Sequence, residues 1–96
     1  MTNENFLQTL EQTIQDRLAN PDVESYTSSL AAMGVKRVAQ KVGEEAVELA
    51  LASVEGDRDE VLNEAADLLY HMLVLLHVQD VRYADVVATL EARQTG

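Results

Sequence analysis

Glu44, Glu45 and Glu48 are followed, after fifteen intervening residues, by Glu64 and Asp67. On a helix, carboxylates three residues apart lie one turn apart on the same side. The pairs Glu45–Glu48 and Glu64–Asp67 can therefore oppose each other across two antiparallel helices joined by a short turn. Carboxylates converging away from water repel and raise one another's pKa values. A divalent cation removes that conflict. Mg²⁺ takes hard oxygen ligands, keeps several waters, and is commonly shared between protein carboxylates and substrate phosphates. It polarises phosphoryl oxygens and favours ionisation of a bound water. With Arg37 as zero, Lys41 falls at about 40° on a helical wheel, Glu44 at about −20°, Glu45 at about 80° and Glu48 at about 20°. Two cations thus share the stripe of the three glutamates, nearer the helix N-terminus. Arg37 and Lys41 can pair with those glutamates or receive a phosphate. For the three glutamates alone, a solvated acidic face is the commoner outcome. Asp67 changes the balance, because it abuts the most apolar run in the chain, where a carboxylate is costly unless paired or metal-bound. Salt bridges to Lys41 or Arg37 meet that need as well as a metal does.

Other candidates are weaker. His71 shares a face with Glu64 and Asp67 and suits a base or ligand, although a hydrogen-bonded histidine at a helix interface is commoner. Tyr70 reads as packing with its hydroxyl satisfied. Ser25-Tyr26-Thr27-Ser28 has the composition of a helix cap.

Helical periodicity supplies the elements that must position these groups. Phe6, Leu7, Leu10, Ile14 and Leu18 predict an amphipathic helix from about Asn5 to Ala19, stopped by Asn20-Pro21-Asp22. One or two helical turns follow over Ser25–Ala32. A long helix runs from Val35 to about Val54, with Val35, Val38, Val42, Ala46, Leu49 and Ala50 as its apolar side. Gly43 interrupts it at a cost of about 1 kcal/mol against alanine, which suggests a close approach to the backbone. Glu55-Gly56 is a turn, and Asp57 with Glu60 caps a helix reaching about His77. The second half of that helix, from Leu68, is apolar nearly all round. A last helix, about Tyr83 to Arg93, directs Val86, Val87 and Leu90 inward.

With 96 residues, 47% of them hydrophobic but only 4% aromatic, the chain suits one all-α domain over residues 1–96. Its helices are expected to pack as hairpins in a dimeric four-helix-type bundle, because one small subunit cannot cover the 68–78 stretch. There is no cysteine, which excludes disulfides, thiolate metal sites and cysteine nucleophiles. The formal charge of −10 argues against nucleic-acid and anionic-membrane partners. The 68–78 run is too short to span a bilayer, and nothing at the N-terminus resembles a signal peptide. A cytoplasmic protein is expected.

The run from Gly34 to Glu48 (GVKRVAQKVGEEAVE) and the run from Asn63 to His71 (NEAADLLYH) closely resemble the phosphoribosyl-ATP pyrophosphohydrolase family of histidine biosynthesis. The Ser25-Tyr26-Thr27 segment and the stretch Leu90-Glu91-Ala92-Arg93 extend the likeness over most of the chain. The bare ExxE…ExxD pattern is wider, shared by all-α nucleoside triphosphate pyrophosphohydrolases. The resemblance implies a Mg²⁺-dependent homodimer that hydrolyses the α–β phosphoanhydride of phosphoribosyl-ATP. It implies that Glu44, Glu45, Glu48, Glu64 and Asp67 hold the metal, with Glu45, Glu48, Glu64 and Asp67 carrying the catalysis. Arg37 and Lys41 would meet the triphosphate, and Ser25, Tyr26 and Thr27 would lie near the substrate. The chain looks like the stand-alone form, with no room for the cyclohydrolase to which this domain is fused in some organisms. Two other classes fit the residues: a housecleaning pyrophosphohydrolase for a non-standard or pyrimidine nucleotide, and a non-catalytic helical interaction module.

Overall fold

The computed structural model describes residues 6–94. Five helices follow one another: α1 Phe6–Ala19, α2 Tyr26–Ala32, α3 Val35–Glu55, α4 Arg58–Val78 and α5 Tyr83–Arg93. The chain is all-α, as expected; Asn5, the expected start of α1, lies outside the described residues.

The centre of the architecture is the α3–α4 hairpin, and two residues, Gly56 and Asp57, make its turn. Gly56 sits in the left-handed region at φ 77°, and its N–H closes α3 on the carbonyl of Ala52 at 3.0 Å. Asp57 then caps α4, its carboxylate accepting from the N–H groups of Asp59 at 3.1 Å and Glu60 at 3.2 Å. With so tight a reversal, two 21-residue helices run antiparallel and form the most extensive pairing in the molecule.

The face of α3 that meets α4 coincides only in part with the one hydropathy suggests. Val38, Glu45 and Ala52 are buried, seven residues or about two turns apart, with Val42 and Leu49 half-buried between them. Val35, Ala46 and Ala50, expected inward, are exposed, as are Val47, Leu51 and Val54. The apolar residues of α3 occupy more of its circumference than one neighbour can cover. The buried stripe therefore runs through a carboxylate and leaves aliphatic side chains outside. Gly43 lies on the exposed side too, and a Cβ built there meets nothing within 4 Å. No close approach among the described residues explains that glycine.

α1 and α2 cover one end of the hairpin. Ile14, Leu30, Val38, Leu73 and Val74 form the buried core, with Leu10, Leu69 and Tyr70 among the half-buried residues around it. Burying each large aliphatic side chain stabilises the fold by roughly 1.5–3 kcal/mol. Leu73 and Val74 are thus filled by their own subunit. α4 as a whole, unlike the 68–78 run considered alone, is long and apolar enough to cross a membrane by length and composition. It also carries Glu64, Asp67, His71 and His77, which are expensive in hydrocarbon.

α5 is tied on by a polar clasp. Glu11 Oε2 accepts from His77 Nε2 at 2.7 Å and from the N–H of Tyr83 at 2.8 Å, joining α1, α4 and α5. Val86 and Val87 are half-buried, but Leu90, expected inward, is 53% exposed, because among the described residues α5 packs only weakly on the other helices.

Candidate active site

Where the buried stripe of α3 meets the first half of α4, Glu45, Glu48 and Glu64 converge. Each brings one carboxylate oxygen within 4.8 Å of the others. Glu45 is 6% exposed, Glu64 half-buried and Glu48 exposed. Oε1 of Glu45 lies 3.7 Å from Lys41 Nζ and 3.8 Å from His71 Nδ1. Its other oxygen, and Oε2 of Glu64, are buried without a hydrogen-bond partner among the described residues. Leaving two carboxylate oxygens dry and unpaired is costly. Three hard oxygen donors at this spacing, two of them orphaned, fit a divalent cation.

The cluster's electrostatics agree. The Glu64 pKa is pushed up from 4.5 to about 7 by the hydrogen bond it shares with Glu48, then by burial, then by the charges of Glu48, Glu45 and Asp67. Without a cation, the cluster relieves its repulsion by keeping a proton.

Glu44 and Asp67 stand apart from this trio. Glu44 is exposed and accepts from Gln40 Nε2 at 3.3 Å. Successive residues of a helix point about 100° apart, so Glu45 entering the hairpin turns Glu44 away. Asp67 is also exposed, close enough for its charge to act on Glu64. Its backbone carbonyl accepts from His71 Nδ1 at 2.7 Å.

On the other side of Glu45 a cleft of about 270 Å³ is lined by Tyr26, Ser29, Leu30, Met33, Arg37 and Lys41. Lys41 belongs to this cleft and also pairs with Glu45, so the cationic cleft adjoins the carboxylates. A second hollow, of about 240 Å³, is lined by Glu48, Leu51, Ala52, Glu55, Glu60 and Glu64. A larger cleft of about 400 Å³, between Arg17, Pro21 and His77, contains none of these groups.

The segment before α2 divides its tasks. Ser25 is the N-cap, its hydroxyl accepting from the N–H of Ser28 at 3.2 Å. Thr27 is buried, with its hydroxyl bonded to that of Tyr70. Tyr26 reaches the cleft, 53% exposed, with its hydroxyl 2.8 Å from His71 Nε2. Ser29, Leu30 and Met33 were not singled out by sequence reasoning. They follow Tyr26 by three, four and seven residues, which is the helical signal that places them on its face, but α2 is too short for periodicity to speak clearly.

A carboxylate trio suited to a divalent cation, beside a cleft carrying two cations and an aromatic ring, can hold a polyphosphate attached to a base or sugar. Comparison with known proteins agrees with that chemistry. Residues 7–94 match the family model described as phosphoribosyl-ATP pyrophosphohydrolase. Among curated proteins, the chain is 51% identical over 88 residues to the histidine biosynthesis bifunctional protein HisIE of Yersinia pestis, covering 92% of this chain and 43% of that protein. The protein of the same name from Salmonella typhimurium is also 51% identical over 88 residues, with the same coverage. That of Haemophilus influenzae is 48% identical over 87 residues, covering 91% of this chain and 39% of the relative. The chain thus spans less than half the length of the curated relatives it matches. It belongs to the phosphoribosyl-ATP pyrophosphohydrolase family.

Proposed function

We propose that this chain hydrolyses phosphoribosyl-ATP to phosphoribosyl-AMP and pyrophosphate, in histidine biosynthesis in the cytoplasm, as one domain over residues 1–96. The observation that carries the reading is the pair of orphaned oxygens, Glu45 Oε2 and Glu64 Oε2, gathered with Glu48 beside the cleft of Arg37 and Lys41. Glu45, Glu48 and Glu64 would hold Mg²⁺, with Asp67 and Glu44 completing the acidic surroundings. When bound, Mg²⁺ offsets the charge of the carboxylates and polarises the phosphoryl oxygens.

The chain's own residues do the rest. Arg37 and Lys41 draw the polyphosphate against an otherwise acidic surface and neutralise the pyrophosphate as it departs. Lys41 also steadies Glu45. Glu64, whose pKa is raised by its carboxylate neighbours and by burial, keeps a proton in the absence of the cation and gives it up as the cation binds. Tyr26, with the residues around Ser25 and Thr27, faces the nucleoside end.

We also propose that two copies associate. Val47, Leu51, Val54 and Leu62 are between 53% and 86% exposed along the hairpin, large aliphatic side chains that a second copy would take out of water. A pyrophosphate-release assay over phosphoribosyl-ATP, ATP, dUTP and dCTP tests the activity. Phosphoribosyl-ATP is expected to lead by a wide margin in kcat/KM; comparable rates on dUTP or dCTP would make this a housecleaning enzyme instead.

A further inference from the structure

His71 is 6% exposed and makes no part of the carboxylate trio, yet its ring bonds at both nitrogens to residues of the site. Its Nδ1 lies 2.7 Å from the carbonyl of Asp67, and its Nε2 lies 2.8 Å from the hydroxyl of Tyr26. A carbonyl oxygen can only accept, so Nδ1 carries a hydrogen. In the neutral ring Nε2 is then an acceptor, and the Tyr26 hydroxyl donates to it. With Nδ1 committed at 2.7 Å, the Glu45 oxygen at 3.8 Å lies beyond hydrogen-bond reach.

The ring of Tyr26 is confined from two sides. It stacks on Tyr70, with centroids 6.3 Å apart and planes 28° from parallel, and meets His71 edge-on at 5.8 Å. Its remaining surface lines the cleft with Leu30 and Met33, while Arg37 and Lys41 supply the charged lining. An aromatic and aliphatic wall beside two cations suits a heteroaromatic base attached to a phosphate.

We propose that His71 is a positioning residue for base recognition: by accepting a hydrogen bond from the Tyr26 hydroxyl, it holds that ring as the stacking wall for the substrate's purine. The inference rests on the proposed nucleotide substrate, and goes beyond it by assigning the base to Tyr26 and the orientation of Tyr26 to His71.

Calorimetric titration of the full chain with AMP and, separately, with inorganic pyrophosphate, both with Mg²⁺, tests it. AMP has no phosphoanhydride bond, so its binding is read independently of turnover. Tyr26→Leu should weaken AMP about tenfold, the scale of one base–aromatic stack, and leave pyrophosphate within about twofold. His71→Leu and Tyr26→Phe should each weaken AMP by a similar factor, and the double variant should lose no more than either single, because both remove one bond. His71→Gln, which can retain an acceptor, should recover most of the affinity. Tyr26→Phe keeps the ring of a half-exposed residue, so it serves even if His71→Leu does not fold. Unchanged AMP affinity in Tyr26→Leu, additive losses in the double variant, or a parallel fall in pyrophosphate affinity would each overturn the proposal. Intact AMP behaviour with no phosphoribosyl-ATP turnover would instead remove the hydrolysis reading alone.

Discussion

Because Glu64 holds its proton up to about pH 7, Mg²⁺ and that proton must compete for one cluster. A folded-state pKa raised above the ordinary 4.5 means that the metal-free folded chain binds a proton the unfolded chain has released. The contribution of Glu64 to stability is therefore complete below about pH 4.5 and is lost as pH rises through about 7. Metal binding has the opposite slope. With a pKa of about 7, Glu64 is ionised in roughly 9% of molecules at pH 6 and roughly 91% at pH 8. Apparent Mg²⁺ affinity should thus rise about tenfold across that interval, and binding should release about 0.9 proton at pH 6 but about 0.1 at pH 8. Calorimetry at each pH, in two buffers of different ionisation enthalpy, measures both quantities. Glu64→Gln should bind Mg²⁺ more weakly and release no proton over this range. Flat affinity and no proton release from the unsubstituted chain would refute the coupling of Glu64 to the cation. A proton release unchanged in Glu64→Gln would place the titrating group elsewhere.

The carboxylates should act as a unit. Glu45→Gln, Glu48→Gln, Glu64→Gln and Asp67→Asn are each expected to cut phosphoribosyl-ATP turnover by about 10²-fold or more, with doubles adding little. Glu44→Gln, altering a residue turned away toward Gln40, should cost far less in the same steady-state assay. Gly43→Ala should raise stability by about 0.5–1 kcal/mol in urea unfolding, since the added methyl meets nothing among the described residues; a loss would show that another subunit or the substrate approaches there. Val47→Glu or Leu62→Glu should yield monomers by sedimentation at micromolar concentration if these exposed residues form the subunit contact. Leu73→Glu should unfold the subunit instead, because Leu73 is fully buried within it.

All-α architecture and the bounds of the helices were legible in the sequence because both arise from local physics. Ser25 and Asp57 are short polar residues that satisfy free N–H groups, Gly56 accepts a left-handed φ, and aliphatic residues at helical spacing need one covered side. The carboxylate spacing was equally local, since a helix fixes which side chains share a stripe. That stripe is wide, however, and periodicity does not say which edge meets a neighbour. Packing α4 against the edge that bears Glu45 buried that residue, turned Glu44 outward and left Ala46 and Ala50 exposed. The Tyr26–His71 bond spans forty-five residues of sequence, and no local pattern encodes it. Residue types and spacing by themselves determined the helices and the supply of hard oxygen donors. Only tertiary packing decided which oxygens lost both water and partner, because desolvation depends on what stands opposite a side chain.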